Sequence, residues 1–301
     1  MYKSFEIISD FVRDLWECDF LETSLDTKTK MPPELERACH TMVTILNEQR
    51  KPSAKELAED IYPLLEVSVP WERLKGADKF PPYFLEHYRP RMKTRNEGVY
   101  YGSIFEIKIA SFCLLSGHSI TFSEDYADKS KQIDFVLNMG TQPQVFGVEC
   151  TSKRLTENLT LEDIKQTIEE KAEKFKPEHI DHLRRKIGTC LDKKLLVVEI
   201  TRDDYATPPI LSNLNDLDKE IVNSIFDGVT FVWTEDILVG RNHSLRPKSK
   251  IVGAGLCFTP EIATDIHVTP DGPVLFTRKY VEPEPTCGVP GPEETNEQDE
   301  N

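Results

Sequence analysis

The sequence has few of the features that mark a secreted, disulfide-bonded or zinc-binding protein. Its 301 residues include seven cysteines, an odd number that is widely scattered and contains no Cys-x-x-Cys pair. Disulfide frameworks and structural zinc clusters need regularly spaced cysteines. The first thirty residues carry acids rather than a basic start and an apolar centre, so no export signal is expected. We therefore expect a cytoplasmic protein with free thiols.

Basic residues and long apolar runs are also scarce. The chain has 37 Lys and Arg against 52 Asp and Glu, which gives a net charge of -15. This balance argues against a purely electrostatic polyanion partner, because Lys and Arg neutralise phosphates. Residues 281–301 hold seven acids and no Lys or Arg, and we predict that they form a disordered acidic tail. No apolar run approaches the length of a membrane span, so no membrane partner is expected.

Residues 1–95 are predicted to form a helical N-terminal region, because apolar residues recur there at helical spacing. The run Ser53-Ala54-Lys55-Glu56 has the form of a capping box and predicts a helix start. Pro63 should kink this helix, and the prolines from Pro70 to Pro90 predict an irregular connector. If the protein has a protein partner or forms a homodimer, this region is the expected contact.

Residues 96–280 alternate helical and β-type patterns, which predicts an α/β domain. An apolar helix is expected at 96–115, followed by strands at 119–123, 132–138 and 144–151 and an amphipathic helix at 161–176. Turn-forming residues at 138–143 predict that the second and third strands form an antiparallel hairpin. Further predicted elements are a helical piece at 179–187, strands at 194–200, 229–233, 251–258 and 274–279, and a helix at 213–226.

Three carboxylates occupy positions where an acid needs an explanation. Glu106 lies in the apolar helix, and Asp134 and Glu149 lie in successive strands. A charge removed from water is costly unless it is paired or binds a metal. Cross-strand neighbours lie about 5 Å apart, so Asp134 and Glu149 can share one Mg²⁺ or Mn²⁺ with its waters. Glu106 could complete this metal site from the helix.

The order of these elements and acids, over about residues 97–235, resembles the PD-(D/E)XK nuclease superfamily, which has the restriction-endonuclease-like fold. The resemblance implies a mixed central sheet flanked by helices, preceded here by the helical N-terminal region. It also implies that Glu106, Asp134 and Glu149 bind a divalent metal and act in phosphodiester hydrolysis. The expected protein is a hydrolase, a Mg-dependent endonuclease that binds nucleic acid, DNA more than RNA, with restriction or antiviral defence as its setting.

The chain departs from the family pattern at two positions. Ile133 stands in place of the motif proline, and Thr151 stands where the motif lysine is expected. Lys153 is the first candidate for the missing ammonium, which orients the attacking water and stabilises negative charge. Lys165 and Lys171 on the following helix are alternatives. A catalytically degenerate protein that binds nucleic acid or serves in assembly is the alternative function.

Two further groups of residues, a histidine pair and a set of basic side chains, can be interpreted either as functional or as ordinary surface residues. His179 and His182 are three apart on a helix and could ligate a metal, although a solvated helix face is the simpler interpretation. Basic residues near the predicted site could form a phosphate-contacting rim, although charge runs are usually solvated. The members of this predicted basic rim are Arg89, Arg91, Lys93, Arg95, Lys153, Arg154, Arg184, Arg185, Lys186, Arg241, Arg246, Lys248 and Lys250.

Overall fold

The computed structural model of this protein describes residues 2–17, 32–77, 84–115, 117–123, 132–138, 145–153, 159–200, 225–241, 244–258, 267–269 and 272–274. These ranges form an α/β fold in which helices flank a mixed sheet. The predicted fold class is confirmed at this level. The predicted acidic tail at 281–301 and most of the predicted helix at 213–226 lie outside the described residues.

The N-terminal segments are helical, as predicted. They comprise α1 (Tyr2–Trp16), α2 (Pro33–Asn47), α3 (Ala54–Glu56), a π-helical turn (Leu57–Ile61), α4 (Tyr62–Gly76) and α5 (Phe84–Met92). The predicted capping box is present, since the Ser53 N–H donates to Glu56 Oε2 at 2.8 Å and the Glu56 N–H donates to Ser53 Oγ at 3.2 Å. Pro63 lies in the first turn of α4, directly after the π-helical turn.

The predicted irregular connector is wrong at Pro70 and Pro90, because both prolines lie inside helices, whereas Pro81 and Pro82 lie outside the described residues. A proline within a helix removes a hydrogen bond and crowds the preceding turn. In α4 this cost is offset by packing, since Val67, Trp71 and Leu74 are fully buried around Pro70. Large buried side chains on one face therefore keep the helix continuous where local propensity would end it.

Helix α6 (Glu97–Leu115) is buried almost all round and packs between α4 and the sheet. Its Lys108 is 5% exposed and pairs with Glu66 of α4 at 3.2 Å. By length and hydropathy α6 is the one described helix that could cross a membrane, so the expectation that no run reaches this length is wrong. However, 61% of the 18-residue apolar stretch of α6 is buried inside the fold. Helix α6 serves here as the central core helix.

A six-stranded mixed sheet has its strands in the order of the chain: β1 (Ser119–Phe122), β2 (Phe135–Asn138), β3 (Val145–Ser152), β4 (Lys193–Glu199), β5 (Gly228–Arg241) and β6 (Ser244–Phe258). The first three strands pair antiparallel, which confirms the predicted hairpin. Strands β3, β4 and β5 run parallel, and β6 pairs antiparallel with β5. Strands β7 (His267–Thr269) and β8 (Gly272–Val274) form a separate pair.

The crossover from β3 to the parallel strand β4 is helical, as predicted. It contains α7 (Leu161–Ala172), a 3-10 turn (Glu173–Phe175) and α8 (Pro177–Ile187). Helix α7 begins at Thr160, whose hydroxyl accepts from the Asp163 N–H while the Asp163 carboxylate accepts from the Thr160 N–H. Helix α8 ends at Gly188, which has a φ of +71° and suits a left-handed cap.

The two faces of the sheet have different cores, and β3 separates them. Phe146, Val148 and Cys150 belong to the core shared with α6, while residues between them face α7 because side chains alternate along a strand. At Gly147 a Cβ atom would lie 2.6 Å from Leu191 Cδ1 and 2.9 Å from Phe175 Cε1. A larger residue would require the Leu191 and Phe175 side chains to shift, so Gly147 lets these side chains pack closely on the sheet.

Candidate active site

Asp134 and Glu149 are brought together by the β2–β3 hairpin. Asp134 directly precedes β2, where its N–H donates to the Val148 carbonyl at 3.2 Å. Its Oδ2 accepts from the Cys150 N–H at 2.6 Å, which fixes the carboxylate beside β3. Glu149 faces α7 from β3. The exposed fractions of Asp134 and Glu149 are 2% and 0%, so both acids are removed from water.

Two lysines from the end of the α7 segment neutralise this pair. Lys171 Nζ lies 2.6 Å from Glu149 Oε1. Lys174 Nζ lies 2.8 Å from the same Oε1 and 3.2 Å from Asp134 Oδ1. Glu149 Oε1 therefore accepts from both ammonium groups, and Lys174 connects the two acids. Such charge-assisted contacts offset the desolvation of buried carboxylates.

The second oxygen of Glu149 has a different environment. Oε2 is buried, and among the described residues it has no hydrogen-bond partner. An unsatisfied buried polar atom costs about 1–3 kcal/mol, and more when it is charged. A carboxylate that is saturated on one oxygen and unpartnered on the other has an unused ligand atom inside the site.

The acids of this pair differ in their ionisation. Burial, followed by the charge of Asp134, raises the pKa of Glu149 to about 7, although Lys174 and Lys171 act in the opposite direction. Burial also raises the pKa of Asp134, but the two lysines and the Cys150 N–H more than offset it, so this pKa lies below its usual value. Asp134 is thus the charged member at neutral pH, whereas Glu149 titrates close to neutral pH.

Glu106 approaches the same region from α6 but has its own partners. Arg91 of α5 donates to Oε1 at 2.9 Å and to Oε2 at 3.1 Å, and the Tyr88 hydroxyl donates to Oε2 at 3.0 Å. Burial and then the charges of Asp134, Glu106 and Glu149 raise the pKa of the Cys150 thiol, so all three acids act on this residue. Arg91 also lowers the pKa of Asp134. The Glu106 pair and the pair of Asp134 and Glu149 are thus linked electrostatically.

The described side chains of this region do not by themselves make up a metal-binding group. Among the residues that the structure describes, no group of three or more His, Cys, Asp or Glu side chains is arranged to hold a metal ion. Asp134 and Glu149 adjoin one another, whereas Glu106 is paired with Arg91. Two carboxylates with one unused oxygen fit a hard divalent cation that keeps several waters. His179 and His182 belong to no metal group in the described ranges.

The lysine in the site is not the one that the sequence favoured. Lys153 donates its N–H to the Glu199 carbonyl at 2.8 Å, and its charge helps to lower the pKa of Asp163, after the hydrogen bonds from Thr160. Lys171, one of the two helix alternatives, contacts Glu149 directly. Lys174 was not predicted. Thr167, Lys171 and Lys174 recur at i, i+4 and i+7 beside the apolar stripe, a spacing that could have indicated both lysines.

Three members of the predicted basic rim have partners within the protein. Arg89 donates to the Asp14 carbonyl at 2.7 Å and also pairs with Glu17. Arg91 binds Glu106, and Lys93 Nζ lies 5.5 Å from the centroid of the Trp16 ring. Arg154 and the side chains of the members from 241 onwards lie outside the described residues. The α5 members of the rim are thus tied to intramolecular partners.

The chain matches no protein-family model, no curated protein and no solved structure. Its function therefore has to follow from the fold and from the buried acids with their basic partners.

Proposed function

We propose that this protein is a metal-dependent nuclease with a restriction-endonuclease-like core. The support from the fold is the sequence of elements from α6 to β4. A buried helix is followed by three antiparallel strands, a helical crossover and a fourth strand parallel to the third. This is the arrangement that the resemblance to the PD-(D/E)XK nucleases implies, and its acids fall on the expected elements.

The observation that carries the proposal is the buried pair of Asp134 and Glu149 with an unpartnered Glu149 oxygen. A purely structural ion pair would be expected to satisfy both oxygens of a fully buried carboxylate. Perturbed acids held by lysines on neighbouring elements are typical of functional sites. Their arrangement at the ends of β2 and β3 leaves oxygen ligands for Mg²⁺ or Mn²⁺.

Each charged residue has a role in this proposal. Asp134 and Glu149 would hold the metal, which when bound polarises a phosphate and lowers the pKa of a water. Lys171 takes the place of Lys153 as the proposed site lysine, because its ammonium lies 2.6 Å from Glu149. It would orient the water and stabilise charge developing on the phosphate. Glu106 would position Arg91 beside Asp134 rather than bind the metal.

A second candidate is a degenerate nuclease-fold protein that binds nucleic acid or serves in assembly without cleaving. The balance of charge favours this reading, since Arg91, Lys171 and Lys174 already neutralise the three acids. A site neutralised by its own side chains can be stable without any metal. The two candidates differ in whether the acids bind a cation and support hydrolysis.

A cleavage assay separates the two. Purified full-length protein is incubated with single- and double-stranded DNA and with RNA, in Mg²⁺, in Mn²⁺ and in chelator. The test variants are Asp134→Asn and Glu149→Gln, which keep size but remove charge. The matched control is Glu170→Gln on α7, an exposed glutamate that accepts from Gln166 at 2.8 Å.

Cleavage that requires the metal, disappears in both test variants and persists in Glu170→Gln supports the nuclease. Cleavage that continues unchanged in Glu149→Gln would disprove the site. Nucleic-acid binding without cleavage in either metal would favour the degenerate protein.

A further inference from the structure

Lys174 has an unusual position in the acid pair. Its ammonium lies 3.2 Å from Asp134 Oδ1 and 2.8 Å from Glu149 Oε1, and so it contacts one oxygen of each acid. Lys171 contacts Glu149 and lies 3.4 Å from the Cys150 carbonyl. A single cation between two carboxylates on neighbouring strands is the arrangement that a shared divalent ion would also adopt.

The Lys174 ammonium can move away from the acid pair while the backbone stays in place. Lys174 lies in the 3-10 turn that follows α7, and its side chain is 20% exposed, whereas the side chains of the two acids are at most 1% exposed. The side chain of Lys171 is 25% exposed, so the feature that distinguishes Lys174 is its position between the two acids. A lysine has a flexible four-carbon stem, so its ammonium can move to water while its backbone stays in place. The acids, by contrast, are held in place: Glu149 lies in β3, and Asp134, directly before β2, is hydrogen-bonded to β3 through its N–H and its Oδ2.

An ammonium and a divalent cation compete for this position. Both are stabilised by the same oxygens, and two positive centres in one buried space repel each other strongly. We propose that Lys174 is a built-in competitor of the metal: it bridges Asp134 and Glu149 in the metal-free protein and is displaced towards solvent when a divalent cation binds, while Lys171 remains on Glu149. This inference rests on the proposed metal site. Lys174 thereby lowers the affinity of the site for the cation.

Metal affinity tests this competition in the full chain without nucleic acid. Mn²⁺ binding is measured by titration calorimetry for wild type, Lys174→Met, Lys174→Arg and Lys176→Met. Removing the competing charge should tighten Mn²⁺ binding about ten-fold or more. Lys174→Arg keeps the charge and should bind like wild type. Lys176→Met is the matched control, because Lys176 is 47% exposed and pairs with Glu173 on the surface.

Amine labelling tests the displacement in the unaltered protein. An acylating ester is applied with and without Mg²⁺, and each lysine is followed by peptide mass spectrometry. Labelling of Lys174 should rise when Mg²⁺ is added, and that of Lys171 should stay the same. In Glu149→Gln the rise should disappear. This measurement decides the question if circular dichroism shows that Lys174→Met does not fold.

The outcomes separate this inference from the proposed function. Tighter Mn²⁺ binding by Lys174→Met together with metal-dependent labelling of Lys174 supports the competition. Equal Mn²⁺ affinities of wild type and Lys174→Met, together with Lys174 labelling that does not change when Mg²⁺ is added, overturn the competition but leave the metal site intact. If neither wild type nor Lys174→Met binds Mn²⁺, both the competition and the metal-dependent function are overturned.

Discussion

Arg91 holds Glu106 by a two-pronged ion pair whose removal should be costly. The Arg91 side chain is 27% exposed and that of Glu106 is 6% exposed. Replacing Arg91 with methionine keeps much of its length but leaves a buried carboxylate that still accepts from the Tyr88 hydroxyl and has lost its arginine partner. Breaking one side of a buried pair costs about 3–5 kcal/mol. Because water can reach the arginine end, we expect the lower limit, about 3 kcal/mol.

Urea unfolding of metal-free protein measures this cost from the midpoint at a constant slope. Glu106→Gln should be milder than Arg91→Met, because the amide oxygen still accepts from Arg91 and the charge that loses its partner, the guanidinium, is 27% exposed to water. The double variant should lose less than the sum of the two single losses, by about 1 kcal/mol or more. The difference between this sum and the measured loss is the interaction free energy of Arg91 and Glu106, separate from the general effects of each substitution.

Two results would refute this reasoning. A loss below about 1 kcal/mol for Arg91→Met, within the range of an exposed pair, would mean that Glu106 is not held as a buried charge. Strict additivity would mean that the two side chains do not interact. The same variants also test the role of Glu106, since Glu106→Gln should leave Mn²⁺ affinity unchanged. A loss equal to that of Glu149→Gln would instead make Glu106 a metal ligand, as the sequence suggested.

Three other predictions concern packing, pH and the tail. Gly147→Ala should destabilise the protein by about 1–3 kcal/mol in urea unfolding, because the added Cβ meets Leu191 Cδ1 at 2.6 Å. Gly102→Ala is the control, because a Cβ atom added there has no neighbour within 4 Å. Equal effects of the two substitutions would contradict the close packing at Gly147. The raised pKa of Glu149, about 7 against an ordinary 4.5, means that its contribution to stability is complete below about pH 4.5 and is lost as the pH rises through 7. Relative to Glu149→Gln, the metal-free wild type should lose free energy of unfolding across this window, and a constant difference between the two would refute the shift. Deleting residues 281–301, whose seven acids can occupy basic groups, should tighten nucleic-acid binding at low salt in fluorescence anisotropy; an unchanged affinity would rule this out.

The elements of the core could be predicted because each has a distinct pattern. The alternating runs of β2 and β3 and the turn between them indicated the hairpin, and the apolar stripe indicated α7. The acids Asp134 and Glu149 could be selected because a charge inside such a strand is rare unless it has a partner. These inferences depend on residues close in sequence, where periodicity carries the information.

The partners of these acids depend on contacts between distant segments. Lys174 lies 40 residues from Asp134, and Arg91 reaches Glu106 from another helix, so neither pairing follows from a local pattern. Lys153 was favoured because it is near Glu149 in sequence, yet the strand carries its backbone towards Glu199. The proline rule failed in α4 for a similar reason, since packing around Trp71 outweighs the local preference.

The burial of Cys150 close to the acids of the site has a consequence for redox chemistry. Thiolates, not thiols, react with oxidants and alkylating reagents, and burial together with the surrounding carboxylates keeps the Cys150 thiol protonated. Of the cysteines whose side chains are described, Cys190 is exposed, whereas Cys39, Cys113 and Cys150 are buried. A thiol reagent should therefore modify Cys190 in the native protein and spare Cys150. Modification of Cys150 would then report that α6 and the sheet have separated, which makes this cysteine an internal sensor of whether the site is assembled.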